Sequence, residues 1–368
     1  MSKTSFWGAK RSGMLTVLVA SSFALSACGA GEPAAGAGTG GDGAEQTACE
    51  RNEAAGKITY ISGYGYSASA GQLDVFLAKE LGYFDELCLD VEINASGANG
   101  QQLVAAGQAQ FTALGSASDV MLSAANSRNL TAIATYGDTS PFSLFANEKI
   151  ESLKDLEGGT LGYFINITPI ALATLDAAGV DVDKVELVKM TNYDPTVVPR
   201  GQVDAIVGYA SNQPQTLKAM GEPFNEFLPS DFDIDGTYNV MEVNSQFLKE
   251  NREVAGDFMR ASLKALNYCL ENDDECLGML ADLAKENNQG DAFPIEQLER
   301  TWAVESDWVR ASSMGAPGVH TQAAWEPEFE IVKQFGGIDE IPPLTEIMDV
   351  DLVADLYDGD TLIWPGDK

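Results

Sequence analysis

The chain has one histidine in 368 residues, His320, so no second imidazole is present to share a metal or a proton relay. That scarcity argues against His-based zinc sites. It leaves any Ser-His-Asp arrangement resting on a residue that follows Gly315-Ala-Pro-Gly318, where a surface or capping role is expected. No Gly-x-Ser-x-Gly elbow accompanies it. Walker-type and dinucleotide-binding glycine patterns are also missing, so ATP hydrolysis would belong to a partner. Basic residues are scarce: 22 Lys and Arg face 55 Asp and Glu, for a net charge of −33. Nucleic acid and anionic lipid headgroups are therefore not expected partners. The apolar run from Met14 to Leu25 is too short for a comfortable membrane span.

What that run does fit is a secretory leader. Lys3, Lys10 and Arg11 form its basic start. Leu25-Ser-Ala-Cys28 resembles a bacterial lipobox, which implies cleavage before Cys28 and a lipid on its thiol, an anchor on the outer face of the cell membrane. From residue 28 to about 56 the chain is mostly Gly, Ala, Glu and Thr, a composition unable to bury enough surface to order itself, and a flexible tether is expected. Four cysteines follow: Cys49, Cys88, Cys269 and Cys276. Outside the cell an even number invites pairing. Cys269 and Cys276 flank Leu-Glu-Asn-Asp-Asp-Glu and would staple a helix–turn–helix corner, leaving Cys49 with Cys88 to pin the tether's end. A four-thiolate metal site is the sharper alternative, against which stands the lack of a C-x-x-C pair.

From Lys57 strands and helices alternate. Apolar strands are expected at Ile58–Ile61, Leu89–Ile93, Phe111–Leu114, Leu130–Tyr136, Thr160–Tyr163, Val185–Lys189, Val203–Val207 and Tyr238–Val243. Ser116 with Asp119, and Thr168 with Pro169, read as helix starts. Helices are expected over Ser245–Leu270, Asp274–Asn287, Pro294–Ala311 and Thr321–Phe335, with Trp302 and Trp308 as core residues. Alternation implies parallel pairing with helices on both faces. A small device occurs twice: Gly107-Gln runs through a strand to Gly115-Ser-Ala-Ser118, and Gly201-Gln runs through another to Gly208-Tyr-Ala-Ser211. Ligands of open α/β sheets sit beyond the carboxyl ends of the strands. These two loops are therefore expected to face each other across a cleft.

Several stretches carry a family resemblance. They are Ala78-Lys-Glu-Leu-Gly-Tyr-Phe84 with Leu89-Asp-Val-Glu92, Ala105-Ala-Gly-Gln, Leu153-Lys-Asp-Leu-Glu-Gly158, Gly201-Gln-Val-Asp-Ala205, and Val243 to Asn251. In this order the sequence resembles the substrate-binding proteins of ABC importers, in the group of the NMT1/THI5-like pyrimidine binders and the sulfonate, taurine and nitrate binders. The resemblance implies an α/β, type II periplasmic-binding-protein fold with two βαβ lobes around a ligand cleft. Lobe I would comprise 57–143 and 239–368, including the C-terminal helices, and lobe II 144–238. It implies no enzyme activity and no cofactor, a monomer that hands a small solute to a membrane permease, and ligand contacts from the loops 64–67, 97–100, 115–117, 166–168, 193 and 209–212. At Asn212-Gln213-Pro214 relatives often carry Asn-Glu-Pro, and Gln213 lacks that acid.

The ligand-binding residues expected are Tyr64, Tyr66, Ser67, Asn99, Gly100, Ser116, Ala117, Tyr136, Asn166, Thr168, Tyr193, Tyr209, Ser211 and Asn212. The strand ends gather six tyrosines, counting Tyr163, and no Lys or Arg, while Asp119, Asp138 and Asp194 are present. Tyrosine faces suit a planar ring, and a cation is welcome over them. A neutral or cationic heterocycle such as a thiamine-precursor pyrimidine is therefore expected, with a small sulfonate, taurine or nitrate-like anion as the alternative. A THI5-like enzyme or a structural envelope lipoprotein would be other uses of the fold, although this chain lacks the Cys-rich motif of the eukaryotic pyrimidine synthases. Asp231, Asp233, Asp235, Gly236 and Glu242 match an EF-hand loop, but Pro229 before them and a strand after them favour an acidic turn without Ca²⁺.

Overall fold

The computed structural model describes residues 47–95, 99–127, 129–192 and 194–365. The leader, Cys28, residues 28–46, residues 97 and 98 of one expected ligand loop, and Tyr193 lie outside the described residues. The last part of the expected tether is ordered: Thr47 caps helix α1 (Ala48–Ala55), its hydroxyl accepting from the Glu50 amide at 3.2 Å. Cys49 is bonded to Cys88, and Arg51 bridges to the buried carboxylate of Asp257 at 2.6 Å. These long-range ties hold a helix that length alone would leave marginal.

Two five-stranded sheets organise the rest. The first contains β1 (Ile58–Ile61), β2 (Val91–Asn94), β3 (Phe111–Leu114), β4 (Leu130–Gly137) and β10 (Tyr238–Asn244), in the order β2-β1-β3-β10-β4. The second contains β5 (Phe142–Ala146), β6 (Thr160–Tyr163), β7 (Glu186–Lys189), β8 (Ala205–Tyr209) and β9 (Asn225–Phe227), in the order β7-β6-β8-β5-β9. The expectation of parallel pairing holds for β1 with β2 and β3, and for β6 with β7 and β8. It fails at β10, which is antiparallel to β3 and β4, and at β5, which is antiparallel to β8 and β9. The physical reason is the route of the chain. Parallel neighbours need a returning crossover, usually a helix. β5 and β10 instead arrive straight from the other sheet, through 138–141 and 228–237.

Helices cover both sheets. In the first lobe these are α2 (Leu73–Glu80), α3 (Tyr83–Glu86), α4 (Gly100–Ala105) and α5 (Ala117–Ala124); in the second, α6 (Pro169–Ala177) and α7 (Gln213–Met220). After β10 come α8 (Ser245–Glu250), α9 (Arg252–Glu271), α10 (Asp273–Glu286), α11 (Ile295–Ala311) and α12 (Gln322–Phe335). The single helix expected over Ser245–Leu270 is two, divided at Asn251. Cys269 and Cys276 are bonded across the α9–α10 corner, as expected. The main core lies between the first sheet and α2, α9, α10 and α11, with Phe111 and Phe258 stacked at 4.0 Å between ring centres. Trp302 belongs to it.

One polar expectation is corrected. His320 is neither on the surface nor a cap: it is buried, with its ring nitrogens 3.2 Å from Thr135 Oγ1 and 2.8 Å from the Asp349 carbonyl. Burial pushes its pKa below the usual 6.5 and favours the neutral ring. The EF-hand-like residues are not gathered. Asp231 accepts from the Leu228 amide at 2.9 Å in the short 3₁₀ turn Pro229–Phe232, whereas Glu242 is buried in β10 and accepts from Gln101 Nε2 at 3.1 Å. The chain enters that turn from strand β9, Asn225–Phe227.

Candidate functional site

The carboxyl ends of β1, β3, β6 and β8 converge between the two sheets on a cavity of about 700 Å³. Each wall has a local reason. After β1 the chain turns through Gly63 and Tyr64. After β3, Ser116 opens α5, and Asp119 in its first turn reaches back so that its carboxylate accepts from the Ser116 amide at 3.3 Å. After β6, Thr168 caps α6 by accepting from the Ala171 amide at 3.2 Å, with Pro169 at the first helical position, where the missing N–H costs nothing. After β8, the Tyr209 amide donates to Gln213 Oε1 at 2.9 Å. The residue that stands where an acid was noted in relatives thus turns its carbonyl to the backbone.

Six of the expected ligand residues line the cavity: Tyr64, Ser67, Asn166, Thr168, Tyr209 and Asn212, together with Tyr163 and Asp119. The two Gly-x-Ala-Ser loops do meet. Tyr64 Oη and Tyr209 Oη, one from each lobe, are 3.2 Å apart, and a methyl group on Gly115 would collide with the Tyr209 hydroxyl. Glycine at 115 is what lets the lobes approach this closely.

Others are placed elsewhere. Tyr66 is buried against Phe76, at 4.8 Å between ring centres. Tyr136 is buried and donates its hydroxyl to Asp74 Oδ2 at 2.8 Å. Burial holds the Asp74 carboxyl up at about 7, with the Tyr136 hydroxyl acting against the rise. Gly100 packs on Thr112, and Asn99 is an exposed residue at the start of α4. Ser116 and Ala117 are buried behind the wall, where the Ala117 amide donates to Thr237 Oγ1 at 2.7 Å. Ser211 donates to Glu305 Oε1 at 2.6 Å, and Tyr238 donates to the other oxygen of that carboxylate. Glu305 therefore ties the 209–212 loop to α11 and to the returning strand β10, and burial raises its pKa to about 7. Of the other strand-end acids, Asp138 accepts from the Ser313 amide at 3.0 Å and Asp194 from the Thr196 amide at 2.9 Å, both outside the cavity.

Sequence reasoning did not pick out Phe142, Phe164, Phe293 and Gln297, which also line the cavity. Phe142 begins β5, with its ring 5.2 Å from that of Tyr209. Phe293 comes from the α10–α11 connection, where a single large apolar residue before Pro294 in a polar segment was the available signal. Among the described residues Asp119 is the one charged side chain in the lining, and its carboxyl is held at about 6, first by burial and then by Glu328. Glu328, on α12, accepts from the Ser118 amide at 2.7 Å and from the Thr237 amide at 2.8 Å, fixing the base of α5 to the crossing segment. Among the described residues no cluster of His, Cys, Asp or Glu could hold a metal, and no helix is long and apolar enough to cross a membrane.

Known proteins resemble this chain in sequence and in fold. The NMT1/THI5-like family matches residues 71–276, more than half of the chain. The chain is similar to the formylaminopyrimidine-binding protein of Halalkalibacterium halodurans, with 31% identity over 233 residues, 61% of this chain and 68% of that protein. It is also similar to the riboflavin-binding protein RibY of Chloroflexus aurantiacus, with 26% identity over 241 residues, 58% of this chain and 68% of that one. In structure it is similar to the periplasmic aliphatic sulphonate binding protein SsuA from Escherichia coli, with a TM-score of 0.60 at 12% identity over 85% of this chain and 97% of SsuA. At that identity the likeness speaks for the fold, which is that of the periplasmic binding proteins. With two mixed sheets, a cleft at their strand ends and a family match spanning both lobes, the chain belongs to the NMT1/THI5-like family.

Proposed function

We propose that the protein is an extracytoplasmic solute-binding receptor that closes its two lobes over a planar heterocycle, neutral or cationic, and delivers it to the permease of an ABC importer without transforming it. The observation that carries this reading is the cavity lining: the rings of Tyr64, Phe142, Tyr163, Phe164, Tyr209 and Phe293, with no Lys or Arg among the described residues. Flat apolar faces with hydroxyl edges suit an aromatic ring, and a lone carboxylate favours ring donors or positive charge. The ligands in the names of the two relatives, a formylaminopyrimidine and riboflavin, support the same class. The two crossings at 138–141 and 228–237 would serve as the hinge, and a lipid on Cys28 would hold the receptor at the membrane. Shedding of a Cys28→Ser variant into the medium tests the anchor.

A second reading, a small sulfonate, draws support from Gln213, which opens α7 and lines the cavity, because a helix N-terminus offers N–H groups to anions. Thermal-shift titration decides between them. A formylaminopyrimidine or riboflavin at about a hundred times its Kd should add about 2.7 kcal/mol of stability, and taurine none. A shift with taurine alone would transfer the assignment to anions. Turnover of the bound heterocycle, or no shift with any of these solutes, would overturn the receptor reading.

A further inference from the structure

We infer that Asp119, together with the hydroxyls of Tyr64 and Tyr209, forms a recognition point for an N–H-bearing ring edge, and that Asp119 is the specificity-determining residue of the cavity. This rests on the receptor reading above and assigns the part of the solute that is read. Three oxygens from three separate segments gather over Gly115. A methyl group on that residue would lie 3.2 Å from Asp119 Oδ2 and 3.2 Å from Tyr64 Oη, and would overlap Tyr209 Oη. The two hydroxyls are already 3.2 Å apart, so one proton is spent between them. An ionised carboxylate only accepts hydrogen bonds. Asp119 accepts from backbone amides at the start of its own helix, Ser116 at 3.3 Å and Gly115, and among the described residues no cation lines the cavity to neutralise it.

Such a group takes N–H donors, and an amino group beside a protonated ring nitrogen presents two of them in the fork that a carboxylate matches. An acceptor-only ring edge placed there would leave the carboxylate dry and unpaired, which is the costly outcome. The acids near Asp119 are Glu328 on α12, which lifts its pKa, and Glu242 on β10, whose own pKa Asp119 raises. Both lie behind the wall, with Glu328 committed to Ser118 and Thr237 and Glu242 to Gln101. Asp119 is thus the acid left to meet a solute, and at pH 7.5 it is ionised.

The test is isothermal titration at pH 7.5 with two probes, a 4-aminopyrimidine carrying a formylamino arm and the same ring with the amino group replaced by methyl. The wild-type protein should bind the amino probe at least tenfold more tightly. In Asp119→Asn that preference should fall by at least tenfold, about 1.4 kcal/mol, with the methyl probe's Kd unchanged and the unliganded Tm close to wild type. Gly115→Ala, which fills the point, should lose the amino probe as well. Equal affinities of the wild-type protein for the two probes would overturn the assignment without any variant. Unchanged discrimination in Asp119→Asn would overturn it and leave the receptor reading standing. Binding of neither probe would overturn both.

Discussion

Replacing Glu242 by Gln should make the protein more stable at alkaline pH. Glu242 sits inside β10, fully buried, with one oxygen accepting from Gln101 and the other, Oε1, without a partner. Burial, reinforced by Asp119, raises its pKa from the usual 4.5 to about 8, with the Gln101 bond opposing the rise. A folded-state pKa above the unfolded one means the native protein holds this proton more tightly than the unfolded chain does. Stability is therefore fully present below pH 4.5 and is lost as pH rises through 8. The rise corresponds to about 5 kcal/mol against the ionised form. About 4 kcal/mol of that loss falls between pH 5 and pH 9. Glutamine has the shape of the protonated acid and keeps the bond to Gln101, but cannot ionise. Urea unfolding of both proteins at pH 5, 7 and 9 should show nearly equal stabilities at pH 5 and a gap of a few kcal/mol at pH 9, in favour of Glu242→Gln. Parallel pH profiles would refute the reasoning, because they would mean that Glu242 ionises in the folded state as easily as in water.

Other perturbations have equally definite outcomes. In the chain-entropy picture, opening the 39-residue Cys49–Cys88 loop should cost about 4 kcal/mol and opening the 7-residue Cys269–Cys276 loop about 2; paired Cys→Ser variants compared by calorimetry check the order. Glu328→Ala should cost about 3 kcal/mol or more, because it strips the acceptor from buried donors on Ser118 and Thr237, whereas Glu328→Gln should cost less; their Tm values decide. Asn212→Ala should weaken the ligand-induced thermal shift while changing the unliganded Tm little, and an equal loss in the unliganded protein would assign Asn212 to packing.

Much of the fold was legible because it is written in local patterns. Short apolar strands, the Thr168-Pro169 helix start and the even set of cysteines each carry their own physics. The antiparallel strands were not legible. β5 is buried along its whole length and shows no alternation, β9 has three residues, and direction depends on where the chain arrives from. The break at Asn251 was hidden because the apolar rhythm continues across it. At the cleft, strand ends gave the correct loops but could not tell where a tyrosine hydroxyl goes. Tyr209 turns to the cavity, whereas Tyr136 finds a buried carboxylate and stays in the core. Phe293 reaches the cavity from more than two hundred residues beyond Tyr64, a proximity no local pattern encodes.

The return of β10 to the first sheet also sets an order of assembly. All five strands of the second lobe lie within residues 142–227, so that lobe has its sheet complete as soon as it has been synthesised. The first lobe must wait with an open edge on β3 until 238–244 arrive, and its cavity wall is not braced until Glu328 has been made. Non-local pairing of this kind is slow and leaves strands exposed in the meantime. A chain cut short before α12 should therefore retain a folded second lobe beside an aggregation-prone first one.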